Sequence, residues 1–162
     1  MDKGYADTNP AAGMGAGAAP KIERQPFARA ERAKVFASLA HYREAGSWRW
    51  WVPVIAAFTG ARASEIVQLN REDLRDFEGT PYLAITAFRA SGRRSKSKKE
   101  KTASSRRNIA LHPDLIAAGL LDFIENAAPG PLFPDVPRHP DRAVSHAVSK
   151  WFADQRIEKR AA

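Results

Sequence analysis

The chain has 162 residues, 44% hydrophobic and 27% charged, enough apolar material for the core of a single domain. It contains no cysteine, which excludes disulfides and cysteine-held metals, and its longest apolar run, "WWVPVIAAF" from Trp50, falls far short of the roughly 20 residues of a membrane span. A formal net charge of +8 and a pI near 10.1 point to polyanionic partners, nucleic acid or anionic lipid.

Residues 1–25 are rich in Ala, Gly and Pro and have no periodicity, so a disordered segment is expected there, ahead of a folded unit at 26–162. That opening has neither the basic region nor the apolar stretch of a signal peptide, and a soluble cytoplasmic chain is the expectation. From about Ala28 to Ala45 the spacing of Ala33, Phe36, Leu39, Ala40 and Tyr42 predicts a helix ended by Gly46. Ser47 is placed to cap a second helix with Trp48, Trp51, Val52, Ile55 and Phe58 on its buried side. Pro53 falls late for a first turn, so that helix either begins near it or kinks there; Gly60 stops it. A third helix is expected from about Ala63 to Leu69.

"PYLAITAFR" (81–89) alternates Tyr82, Ala84, Thr86 and Phe88 against Leu83, Ile85 and Ala87, the pattern of a strand, and "RNIALH" (107–112) reads as its partner. "HPDLIAAGLLDFIENA" is expected as one helix, with Pro113 suited to its start and Asp114 favourable to its dipole. A proline-rich loop and a final amphipathic helix, "RAVSHAVSKWFADQRI", complete an α+β domain of mostly helices around a small antiparallel sheet.

Between the two strands, Arg89 to Arg107 holds nine Lys or Arg residues against a single acid, Glu100. Charges that dense repel one another, and a polyanion is the direct way to neutralise them. Few aromatics interleave with the cluster, so backbone phosphates rather than stacked bases are the expected target. Trp48, Trp50 and Trp51 fit a core better than a stacking platform. His41, His112 and His146 stand alone, as structural or solvent-exposed residues.

"TGARASEIVQL", then "DL" at 73–74, a strand, "KTASSRRNIALHPDL" and finally "LFP" follow one another in an order that resembles the catalytic domain of the tyrosine recombinases, the phage integrase family, over about Phe27 to Trp151. The resemblance implies the N-terminal half of that domain, acting on double-stranded DNA, without metal or small-molecule cofactor, and associated with the bacterial nucleoid. It implies that Arg62 grips the scissile phosphate, for which a planar and permanently charged guanidinium is suited. Glu65, three residues on and on the same helix face, is then a supporting acid. Lys101, carrying the "KT", matches the family's general acid, with Lys96, Lys98 and Lys99 close by as alternatives. Arg93, Arg94, Lys96, Lys98, Lys99, Arg106 and Arg107 are the expected DNA contacts.

The family's second arginine, histidines and tyrosine nucleophile have no match in these residues. "HPDR" (His139 to Arg142) is rejected because it precedes the last helix and holds Pro140, and Tyr5, Tyr42 and Tyr82 all precede the lysine segment. The expectation is therefore a recombination and integration fold that is catalytically incomplete alone, with full-length recombinase protomers as further partners. The alternatives are a non-catalytic basic DNA-binding protein, a regulator or gene remnant, and a basic module for an acidic partner or RNA. An unpartnered apolar face is expected on the last helix, at Val144, Val148, Trp151 and Phe152.

Overall fold

The computed structural model describes residues 26–44, 46–88, 98 and 105–155. Helix α1 (Arg29–Leu39) starts where Glu31 turns back to accept the Ala28 N–H at 2.7 Å. It buries Val35 and Leu39, and leaves Ala33 and Ala40 exposed. The buried stripe thus differs from the expected one because a branched side chain has more apolar area to remove from water than an alanine methyl. The helix also ends early, in a 3-10 turn at Ala40–Tyr42.

Helix α2 (Trp48–Thr59) begins at Ser47, whose hydroxyl accepts the Arg49 N–H at 3.2 Å, and it carries Pro53 in its interior rather than starting there. It is the centre of the core: Trp48, Trp51, Val52, Val54 and Ile55 are all buried. Phe58, expected on that side, is instead 43% exposed in the last turn, its ring 5.2 Å from that of His112. Gly60, with φ +64°, ends the helix in a left-handed conformation that a side chain would disfavour.

Helix α3 (Ala63–Val67) is shorter than expected, although Leu69 beyond it is still buried. A 3-10 turn (Arg71–Asp73) leads into a strand absent from the sequence reading, β1 (Leu74–Phe77). With β2 (Thr80–Ile85) and β3 (Arg107–Ala110) it makes an antiparallel sheet of order β1-β2-β3. The register sets Leu74 opposite Leu83 and Leu83 opposite Ile109, a row that faces the core. β2 ends at Ile85 rather than at Arg89.

The predicted single helix after β3 is two, α4 (Pro113–Ala117) and α5 (Leu120–Glu125), separated by Gly119 at φ +91°. The break lets Leu115, Leu120 and Ile124 all turn inward, each fully buried. The following loop is held to the end of α3 by Leu132 N–H to Leu69 O (2.9 Å) and Arg71 N–H to Gly130 O (2.8 Å), which buries Leu132, Phe133 and Val136.

Helix α6 (His146–Asp154) is not bare, contrary to expectation. Val148 is buried, Val144 and Trp151 pack partly on the core, and Trp151 meets Trp48 edge-on with ring centroids 5.3 Å apart. The Arg49 guanidinium lies over Trp48, 4.6 Å from its ring centroid, and adds a cation–π contact to this seam. Helices on a small antiparallel sheet make the class α+β, and no described helix is long and apolar enough to cross a membrane.

Candidate anion-binding site

The Thr-Gly turn after α2 sets the position of Arg62. Thr59 Oγ1 donates to Ile55 O (2.6 Å) and accepts the Ala61 N–H (3.1 Å), and Gly60 supplies the reversal. The chain then enters α3 with Arg62 in extended backbone as its first flanking residue. Glu65, one turn on, reaches back to accept the Arg62 N–H at 2.8 Å and the Arg62 guanidinium at 3.0 Å. Among the described residues the Arg62 guanidinium has no other partner, and its side chain is 58% exposed. Its remaining N–H donors are therefore open to a ligand.

β3 supplies the second guanidinium. Residues two apart on a strand share a face, so Arg107 lies on the same side as the core-facing Ile109 and is carried toward α3. It donates to both Glu65 oxygens, at 3.3 and 2.9 Å, and to Ser105 O at 3.0 Å. Burial alone would push the Glu65 carboxyl up, but the Arg107 hydrogen bonds, the Arg62 amide and the adjacent positive charges together hold it below its ordinary value. The Arg107 guanidinium is held above its own, chiefly by its hydrogen bonds to Glu65. Glu65 is thus ionised at neutral pH, the centre of an Arg–Glu–Arg group with one net positive charge.

Lys98 brings a third cation. Its ammonium is buried and paired with Asp73, which is also buried and accepts the Asn70 N–H at 2.7 Å. Lys98 and Arg62 line the same cavity of about 80 Å³ together with Ser64, Glu65, Gln68 and Ser105, above Ala84 and Ile85 of the sheet. At about 30 Å³ per liquid water, that volume suits a few waters or one small oxyanion. A much larger open groove, of about 750 Å³, runs between the start of α2 and the loop after α5, along Trp48, Phe123 and Phe133. No ion pair among the described residues lies in it, whereas Arg62, Glu65 and Lys98, each ion-paired, line the smaller cavity.

Of the residues picked out in the sequence, Arg62, Glu65 and Lys98 line the cavity, and Arg107 joins them through its ion pair with Glu65. Arg106 stands apart from the cavity lining, its guanidinium 4.5 Å from the Phe88 ring centroid. Lys101, Arg93, Arg94, Lys96 and Lys99 lie outside the described residues. Among the described residues no tyrosine lines the cavity: Tyr42 packs against Trp151, and Tyr82 lies in β2 opposite Ala110. Neither Asp73 nor Ser105 stands out in the sequence as a site residue. The spacing of Asn70 and Asp73 is the signal for the first, since an acid three residues after an Asn is a helix-start pattern, but it shows nothing of a lysine 25 positions away. Comparison of the chain with family models, curated proteins and solved structures found no match to any of them.

Proposed function

We propose that this polypeptide binds the phosphate backbone of double-stranded DNA, on a fold of tyrosine-recombinase type, and does not itself cleave the strand. What supports this reading most is the Arg62 guanidinium, braced by Glu65 on one side and open to solvent on the other, at the mouth of a cavity that also holds Lys98. A guanidinium turned toward this position by Glu65 has a planar fork that can grip two phosphate oxygens at once. The order of "TGARASE", "KTASSRR" and "LHPDL" supports the family assignment, and the net charge of +8 supports a polyanionic partner. Glu65 fits a supporting role because its acceptor positions are taken by arginines. Arg107 fits the bracing of Glu65 better than direct contact, since its guanidinium already serves Glu65 and Ser105.

Strand cleavage needs a nucleophile and several donors around a transition state that gathers negative charge, and losing one such donor commonly slows an enzyme about 10²–10³-fold. The described cavity offers no tyrosine. Binding without a covalent intermediate is therefore the activity proposed for these residues.

A gel shift on duplex DNA across a salt series tests the proposal. Affinity should fall linearly with salt on a logarithmic plot, and Arg62→Ala should weaken binding about tenfold and reduce the slope by about one. Unchanged affinity in Arg62→Ala would remove the carrying observation. Tight binding to an acidic protein or to RNA, with none to duplex DNA, would favour the third sequence alternative. A covalent adduct trapped on nicked suicide DNA would overturn the non-cleaving part.

A further inference from the structure

Among the described residues Lys98 is unusual for a cation in being almost wholly buried, 8% exposed, with Asp73 beside it at 2%. Lysine is seldom buried unless paired, and taking a charged pair out of water rarely stabilises a fold better than apolar side chains of the same size. Asp73 already serves its turn by accepting the Asn70 N–H, so the local fold does not require an ammonium there. Position is what distinguishes this lysine, because it forms part of the wall of the Arg62 cavity.

We propose that Asp73 is a positioning residue for the anion site: it fixes the Lys98 ammonium in the wall of the Arg62 cavity, oriented to donate to an oxyanion bound there. This rests on the reading of the cavity as a phosphate site. An ammonium has three N–H donors, of which Asp73 accepts on one side, leaving others for the cavity. The carboxylate has a further consequence: it balances a cation that would otherwise repel Arg62 while the cavity is empty. Asp73 touches no ligand in this arrangement; it acts through Lys98.

The test combines acetylation of surface amines, mapped by mass spectrometry, with binding of a 20-base-pair duplex. In the unmodified protein Lys98 should acetylate at least tenfold more slowly than the exposed Lys34, and Asp73→Asn should remove most of that protection. Equal rates at Lys98 and Lys34 in the unmodified protein would overturn the proposal at once. Asp73→Asn should weaken duplex binding five- to tenfold, and the same change in a Lys98→Met background should add nothing. An equal loss in both backgrounds would mean that Asp73 acts through the fold and not through Lys98, which also overturns it. Asp73→Glu, which keeps the charge, should recover part of the affinity. If Asp73→Asn does not fold, the unmodified protein decides: bound duplex should slow acetylation of Lys98 at least threefold further, and no change counts against the proposal. Loss of binding in Arg62→Ala with none in Asp73→Asn would sink this inference alone. No loss in Arg62→Ala would sink the phosphate reading beneath it.

Discussion

Glu65 and Asp73 do the same local job at the starts of successive helical turns, and their surroundings make them different. Each lies three residues after the residue whose N–H it accepts, Arg62 at 2.8 Å and Asn70 at 2.7 Å. Each also accepts a cation from far along the chain, Arg107 for Glu65 and Lys98 for Asp73. Glu65 sits at the edge of the domain between guanidiniums that are 58% and 35% exposed. Asp73 and Lys98 are 3% and 7% exposed at the side chain. Water screens the first group and hardly reaches the second, so two similar sequence patterns have quite different energetic weight.

The buried pair should give the largest effect. Asp73→Ala leaves the Lys98 ammonium without its counter-charge and should destabilise the fold by about 3–5 kcal/mol. The double substitution Asp73→Asn with Lys98→Met removes both charges together and should recover most of that loss. Urea denaturation of the single and double variants measures both. A single-variant loss under about 1 kcal/mol would show that the pair is not buried in solution, and the contrast with Glu65 would disappear.

Glu65→Gln should come next, at about 1–2 kcal/mol, because a carboxylate accepting from two guanidiniums is replaced by one weaker acceptor. This loss should shrink as salt rises from 0.05 to about 0.5 M, where the Debye length falls to a few ångströms, while the Asp73→Ala loss should stay nearly constant. Equal salt sensitivity in the two variants would break the comparison.

Much of this architecture can be read locally. Ser47 before the tryptophans, the Thr59-Gly60 turn and the three-residue spacing of Arg62 and Glu65 all act within one helical turn, and the structure has each where the sequence puts it. What the sequence hides depends on tertiary placement. Leu74–Phe77 is too short and too polar to read as a strand, and becomes one only because β2 pairs with it through the Glu78-Gly79 turn. Gly119 inside a periodic apolar stretch reads as tolerated, yet its φ of +91° divides the helix. Lys98 looks like any other lysine in a charged run, and its burial follows from Asp73, which no periodicity connects to it. Arg107 is similar: its role follows from sharing a strand face with Ile109, a fact about register rather than composition.

The acid limb of stability should report the bracing of Glu65 directly. Glu65 is held below its ordinary value near 4.5, so the folded state binds a proton there less readily than the unfolded chain does. Its contribution is therefore fully present above about pH 4.5 and is lost as pH falls through the lowered folded value. Comparing unfolding midpoints of the unmodified protein and Glu65→Gln between pH 7 and pH 3 should show a constant gap down to about pH 4.5, then a narrowing one. A gap that widened on acidification would mean that Glu65 is destabilised rather than braced by its arginines.

The smallest effect on stability belongs to Arg62, and its size carries the functional argument. Its ion pair with Glu65 is exposed and of i, i+3 type, a geometry that contributes about 0.3–0.5 kcal/mol. Arg62→Ala should therefore leave the unfolding midpoint almost unchanged. Glu65 keeps the Arg62 backbone N–H, which any residue supplies, and keeps Arg107. Its pairing with the fold is thus largely independent of the Arg62 side chain. The expected loss of DNA affinity in the same variant is several times larger in energy, since tenfold corresponds to about 1.4 kcal/mol. A guanidinium that contributes little to the fold yet is held in place by it is available for a ligand. A drop in stability as large as the drop in binding would assign Arg62 to the architecture and leave the cavity without its outward-facing donor.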